Sequence, residues 1–240
     1  MMSFVRAASV VMALCFAASI TQAADAPPPP PSPVLAQRLA DLLDPVDLVV
    51  AMDRRFAAQN LERLPPTHPI AAIRQKNPKL FAVIAAAWQD AVEDLIRERY
   101  PDKRARVVSL FQASLSQDDL QALIDYYESP VGRKVVATGF AKMNAPVTAA
   151  PTTMTHDEFE AAAAAARRAM VEQLSPEEAA AVVKFARSPA VARFEPVNLK
   201  RLAMSVDWGN SLSPELQRVV NARIQKAMRD YVSAHPREPH

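Results

Sequence analysis

Four histidines, His68, His156, His235 and His240, are the side chains best suited to hold a metal or pass a proton, and their spacing argues against both roles. A hydrolytic zinc site wants two histidines one helical turn apart with a carboxylate beside them, as in H-E-x-x-H. Here they are scattered, and only His156-Asp157-Glu158 forms a local group. Neighbours on a helix point in different directions, so Glu158 is better used as the partner of Thr155 in a capped helix start. No metal and no cofactor is expected. Nucleophilic catalysis fares no better. The chain has no G-x-S-x-G, and its prominent serines, Ser116, Ser129, Ser175 and Ser188, stand before acidic first turns or prolines, where serine caps a helix. The pairs Asp118-Asp119 and Glu177-Glu178 could act as acid and base in a dry pocket, but at first-turn positions they serve the positive end of the helix dipole. No residue is assigned a catalytic role. What remains is a group of binding or structural candidates: Tyr126, Tyr127, Ser129, Pro130 and Gly132. One tyrosine faces the core and the other a flank; core packing with a hydrogen-bonded hydroxyl is the favoured reading, and a flanking tyrosine can alternatively serve as a binding handle. Ser129 caps, Pro130 enters the first helical turn, and Gly132 permits close helix approach.

The elements that carry these residues follow from composition. Three glycines against twenty-one prolines leave few positions for hairpin turns, and alanine, leucine, glutamate, lysine and arginine dominate the interior. The fold class is therefore all-α, a helical bundle with an internally duplicated helix–Ser-Pro–helix unit. The duplication is read from Leu115-Ser116 through Ser129-Pro130, which returns fifty-nine residues later as Leu174-Ser175 through Ser188-Pro189. The repeats lie near 115–142 and 174–208. Leu120, Leu123, Ile124 and Tyr127 form one apolar stripe at helical spacing, and Ala179, Val182, Val183 and Ala186 form its smaller counterpart, so a core stripe is expected in each. Elsewhere, Ser32 is expected to cap a helix interrupted at Asp44-Pro45, and a second helix runs to about Gln59. A third opens at Asn77-Pro78 and stops at Pro101, and a terminal helix starts at Ser213-Pro214 and ends near Ala234. Trp88 and Trp208 are expected to anchor helix contacts.

The N-terminus reads as a secretory signal over residues 1–23: Arg6, an apolar stretch from Ala7 to Ile20, then small residues near Ala23. Residues 24–33 form a proline-rich tether and residues 34–235 the helical domain. The apolar stretch is shorter than the ~20 residues a spanning helix needs, so no membrane span is expected after cleavage. Cys15 is the only cysteine and lies inside the signal, which leaves the mature chain without disulfides. Net charge is +2, which does not suggest a nucleic-acid partner. The basic patch Arg97, Arg99, Lys103, Arg104 and Arg106 is interrupted by Glu98 and Asp102 and reads as a solvated face near a helix end.

Leu115-Ser116-Gln117-Asp118-Asp119, followed by Tyr126-Tyr127-Glu128-Ser129-Pro130-Val131-Gly132, resembles a family of small exported bacterial proteins grouped under a domain of unknown function. The resemblance covers roughly residues 75–145 and implies an all-α fold in the periplasm, with no activity attached. The second copy departs from it, with Ala186 for the second aromatic and Val191 for the glycine. Together these readings point to a periplasmic, non-enzymatic interaction or scaffold module of the cell envelope, binding an envelope protein or surface through an exposed groove between the repeats. The alternatives are a carrier of a small apolar ligand or lipid, for which the small second stripe could leave a cavity, and a hydrolase with an unrecognised site.

Overall fold

The computed structural model describes residues 32–143 and 155–235. The signal, residues 24–31 of the tether, the 144–154 connection and His240 lie outside the described residues. Within them the chain is all-α, with no strand. Its helices are α1 (Pro33–Leu43), α2 (Val46–Glu62), α3 (Pro69–Lys76), α4 (Pro78–Ser114), α5 (Gln117–Glu128), α6 (Pro130–Lys142), α7 (His156–Val171), α8 (Pro176–Ala186) and α9 (Pro189–Ala234). None of the described helices is long and apolar enough to cross a membrane.

The helix starts are chemical. Ser116, Thr155 and Ser175 each accept the backbone N–H of the acidic residue three positions on, and that residue's carboxylate accepts the cap's own N–H. These are the reciprocal boxes that the Ser/Thr-x-x-acid spacing calls for. Ser129 ends α5 and caps α6, accepting the N–H of Gly132, whereas α8 ends at Arg187 and Ser188 caps α9, accepting the N–H of Val191. Ser32 departs from expectation: its side chain caps nothing, and its carbonyl instead accepts the N–H groups of Leu35 and Ala36.

Two expected helix ends are wrong. Helix α4 runs through Pro101 to Ser114, and α9 runs through both Pro196 and Pro214, so Ser213-Pro214 starts nothing. An interior proline costs about 3 kcal/mol, but each helix buries large residues on both sides of it. Tyr100 and Lys103 flank Pro101, with Val107 and Phe111 beyond; Trp208 and Leu212 precede Pro214, with Val220 and Ile224 beyond. A buried Val or Leu contributes roughly 1.5–3 kcal/mol, so several of them outweigh one proline. The two long helices pack along each other as the spine of the molecule.

One core cluster joins α1, the end of α4, α5 and the start of α9 around Leu39, Phe111, Leu120 and Leu123. A second gathers α2, the middle of α4 and α9 around Val92, Tyr100 and Trp208, and a third joins α4 to the end of α9 through Ile84 and Val220. Trp208 is buried, and Trp88 packs against the second and third clusters.

The basic patch is a solvated face only in part: Arg97 and Arg106 are exposed, while Arg99 and Arg104 are half-buried. Arg97 pairs with Asp47 and Glu93, Arg99 with Glu215, and Arg104 with Asp41, so the charges tie α4 to α1, α2 and α9. Lys103 is buried outright. Its ammonium lies 3.6 Å from Asp44 Oδ2 and 5.5 Å from the Trp208 ring, while Arg201 Nη1 donates to Asp44 Oδ1 at 2.6 Å. Arg201 also donates to Asn198, and the Tyr100 hydroxyl donates to the Asp44 carbonyl. Burial pushes the Asp44 carboxyl up, but Arg201 and Lys103 outweigh it and hold the group below its usual range. Asp53, close enough for Lys103 to act on it, is pushed up to about 6 by burial.

Candidate interaction site

The five motif residues come together at the α5–α6 corner. Tyr127 is half-buried and borders the first core cluster, with its ring edge-on to Phe194 at 6.5 Å. Burial pushes its hydroxyl up to about 12. Tyr126 lies further out and stacks flat on Phe185 of α8, with centroids 3.5 Å apart and planes 6° from parallel. The flanking tyrosine is thus committed within the chain. Ser129 accepts the Gly132 N–H at 3.0 Å, and Pro130 fills the first turn of α6. A Cβ added at Gly132 would press into the Tyr126 carbonyl and stand 2.7 Å from Tyr127 Cα. The glycine therefore serves close approach between the end of α5 and the start of α6.

Sequence reading missed what holds the two corners together. Arg193 Nε shares its one N–H between the two Asp119 oxygens, at 2.9 and 3.0 Å, and Nη2 donates to Oδ1 at 2.5 Å. Lys134 donates to Glu178 at 2.6 Å. Glu178 stands fifty-nine residues after Asp119, Arg193 fifty-nine after Lys134, and Phe185 fifty-nine after Tyr126. The contacts are therefore reciprocal: the acid of each corner meets the base of the other, and the aromatics at matching positions stack on each other. This is the pattern of a two-fold, self-complementary interface. The helices follow it, since α5 packs on α9 as α8 packs on α6, and α4 packs on α9 as α7 packs on α6. The signal in the sequence was an acidic position and a basic position that both keep their charge at the one offset. Arg193 and the Ser116 cap hold the Asp119 carboxyl below its usual range, and Lys134 does the same to Glu178.

These contacts run across the space between the two corners, where an open groove was expected. The open surface is on the far side of the second corner. The expected second core stripe is not a core, since α8 buries no residue fully, Val183 is 48% exposed, and Ala186 is exposed. Phe185 alone on that helix borders the first core cluster. A cavity of about 490 Å³ opens between α7 and α9, with Phe159, Ala163 and Ala164 on one wall and Leu199, Leu202 and Val206 on the other. At one end His156 Nε2 lies 3.0 Å from Asp207 Oδ1 across the gap. Glu158 caps, as expected, and among the described residues no three His, Cys, Asp or Glu side chains gather as metal ligands.

A family model described as an uncharacterized protein conserved in bacteria (DUF2059) matches residues 104–155, which take in the end of α4, α5, α6 and the connection that follows. No curated protein and no solved structure matches the chain.

Proposed function

We propose that this chain is an exported, non-enzymatic interaction module of the bacterial envelope, and that its second helical corner presents the binding surface. One observation carries the reading: α8 is an apolar helix with Val182 half-buried and Val183 exposed, on a folded scaffold where the matching helix α5 buries Leu120, Leu123 and Ile124. An exposed apolar face on a folded domain can mark a contact site. The two corners are read as copies of one unit, a reading supported by the single fifty-nine-residue offset that relates their contacts. The polar groups that chemistry would use are spent on structure. Ser116, Ser175 and Thr155 cap, Asp119 and Glu178 bridge the corners, and Asp44 neutralises buried cations. Export rests on the N-terminal pattern of Arg6, apolar stretch and small residues, with the periplasm as the compartment.

The test is in-cell photo-crosslinking of the chain in its host, with a photoreactive residue at Val183 and a control at Val232, which is equally apolar and also exposed. A discrete adduct from position 183 that is absent from 232 is expected; the same diffuse pattern from both would sink the reading. The cavity between α7 and α9 favours a second reading, a carrier of a small apolar ligand, since its volume falls in the range of ligand pockets. Native mass spectrometry of protein taken gently from the periplasm separates the two: a reproducible added mass speaks for the carrier, and a bare mature mass against it.

A further inference from the structure

The reciprocal contacts relate the first unit, the end of α4 with α5 and α6, to the second, α7 with α8 and the start of α9. That relation makes a difference between them informative. In the first unit α1 lies on α4 and α5, and its Ala36, Leu39, Ala40 and Leu43 share one core with Val108, Phe111, Leu120, Leu123 and Ile124. At the corresponding place on the second unit, no described helix does what α1 does. Ile124 is 1% exposed, whereas its counterpart Val183 is 48% exposed. Met170, standing where the first unit has Phe111, is half-buried rather than buried.

The charges on the two seats are opposite. Arg38 of α1 pairs with Glu128 and also feels Asp125. Fifty-nine residues on, Glu128 is replaced by Arg187 and Asp125 by Lys184, both exposed and without an ion pair among the described residues. The side chains of the second seat are also smaller: Ala179 for Leu120, Val182 for Leu123, Val183 for Ile124 and Ala186 for Tyr127. A seat of small residues takes an occupant with larger ones, and a basic rim takes an acidic one.

We propose that the uncovered face of α8 and the adjoining end of α7 is a docking seat for an acidic amphipathic helix of a partner protein. The helix lies as α1 lies on the first unit, with leucine- or phenylalanine-sized groups at i, i+3, i+4 and i+7 and a carboxylate where α1 carries Arg38. This is helix-in-groove recognition. It rests on the interaction-module reading and names the partner's chemistry. A second copy of this chain is a poor occupant, because its own α1 would bring Arg38 against Lys184 and Arg187.

The probe is a stapled, fluorescent peptide of the α1 sequence, residues 32–44, with Ala36→Leu and Ala40→Leu so that leucine stands at all four contact positions, made in two forms: an acidic one carrying Arg38→Glu and a basic one that retains Arg38. Each is titrated onto the full mature chain by anisotropy after its helicity is checked. The acidic peptide is expected to saturate and to bind at least about ten-fold more tightly than the basic one. Lys184→Glu with Arg187→Glu should reverse that order, and Val183→Asp should abolish binding of both. Because these three positions are exposed, circular dichroism of the variants should match the parent. No saturation by the acidic peptide, a preference unmoved by the charge reversal, or sedimentation showing the chain self-associated through α8 would each overturn the proposal. A specific crosslink from position 183 combined with charge-indifferent peptides would remove this inference and leave the interaction module standing; absence of that crosslink removes the broader reading.

Discussion

Replacing Asp44 with alanine is expected to cost about 3–5 kcal/mol of folding stability, the usual penalty for stranding buried charge, and so a large part of the roughly 5–15 kcal/mol typical of a domain. Among the described residues, Asp44 is the only carboxylate paired with both Lys103 and Arg201, which are buried on α4 and α9. Without it, two cations face each other in the middle of the spine, and the Tyr100 hydroxyl bond to the carbonyl at position 44 loses its fixed geometry. Equilibrium urea unfolding measures the effect as a fall in midpoint. The sharper comparison is Asp44→Leu combined with Lys103→Met and Arg201→Met. Removing the whole cluster strands no cation, and Asp53, once deprived of Lys103, is pushed further up by burial and can shed its charge by taking a proton, so this triple variant should recover most of the loss. If the triple variant is as unstable as Asp44→Ala, the cluster is held by packing and not by its charges.

Gly132→Ala should destabilise by about 1–3 kcal/mol, the range for overpacked positions, and toward the upper end because the atoms in the way are backbone. In a chain of this size that is a fall of roughly 2–12 °C in melting temperature. The molecule supplies its own control. A Cβ at Gly209, inside α9, meets nothing within 4 Å. Gly209→Ala should therefore gain the ordinary helix propensity difference of about 1 kcal/mol. Melting curves of the two variants move in opposite directions if close approach at the first corner is the role of Gly132; a rise in both would remove that role.

Local chemistry carried the legible part of the fold. The Ser/Thr-x-x-acid spacing announced the starts of α5, α7 and α8, and the Ser-Pro steps at Ser129-Pro130 and Ser188-Pro189 announced corners, because a cap and a fixed φ act within one turn and need no tertiary partner. Gly132 was legible for the same reason. Pro101 and Pro214 misled because the local cost of an interior proline is visible in the sequence while the burial that offsets it comes from helices far along the chain. The same distance hid the ion cluster: Asp44 reads as a helix stop before Pro45, and nothing near it signals that Arg201 will arrive from 157 residues away. Of the candidate site, the pair Tyr126-Tyr127 was legible as one core and one flanking ring, but not that the flanking ring, Tyr126, would stack on Phe185 of the same chain. The exposed face of α8 was misjudged because periodicity reports that a helix has an apolar side and is silent on whether anything covers it.

Whether that face is uncovered decides the proposed seat, and amide hydrogen exchange of the free mature protein tests it most directly. Helices α5 and α8, of 12 and 11 residues, share the same N-terminal capping box and differ in whether a helix lies on their apolar side. Protection follows buried contacts, and poorly covered elements open first. The amides of α5 should exchange at rates approaching global unfolding, and those of α8 faster by roughly 100-fold or more. Equal protection of the two helices would mean that α8 is already covered in the free chain, and there would then be no vacant seat for a partner to fill.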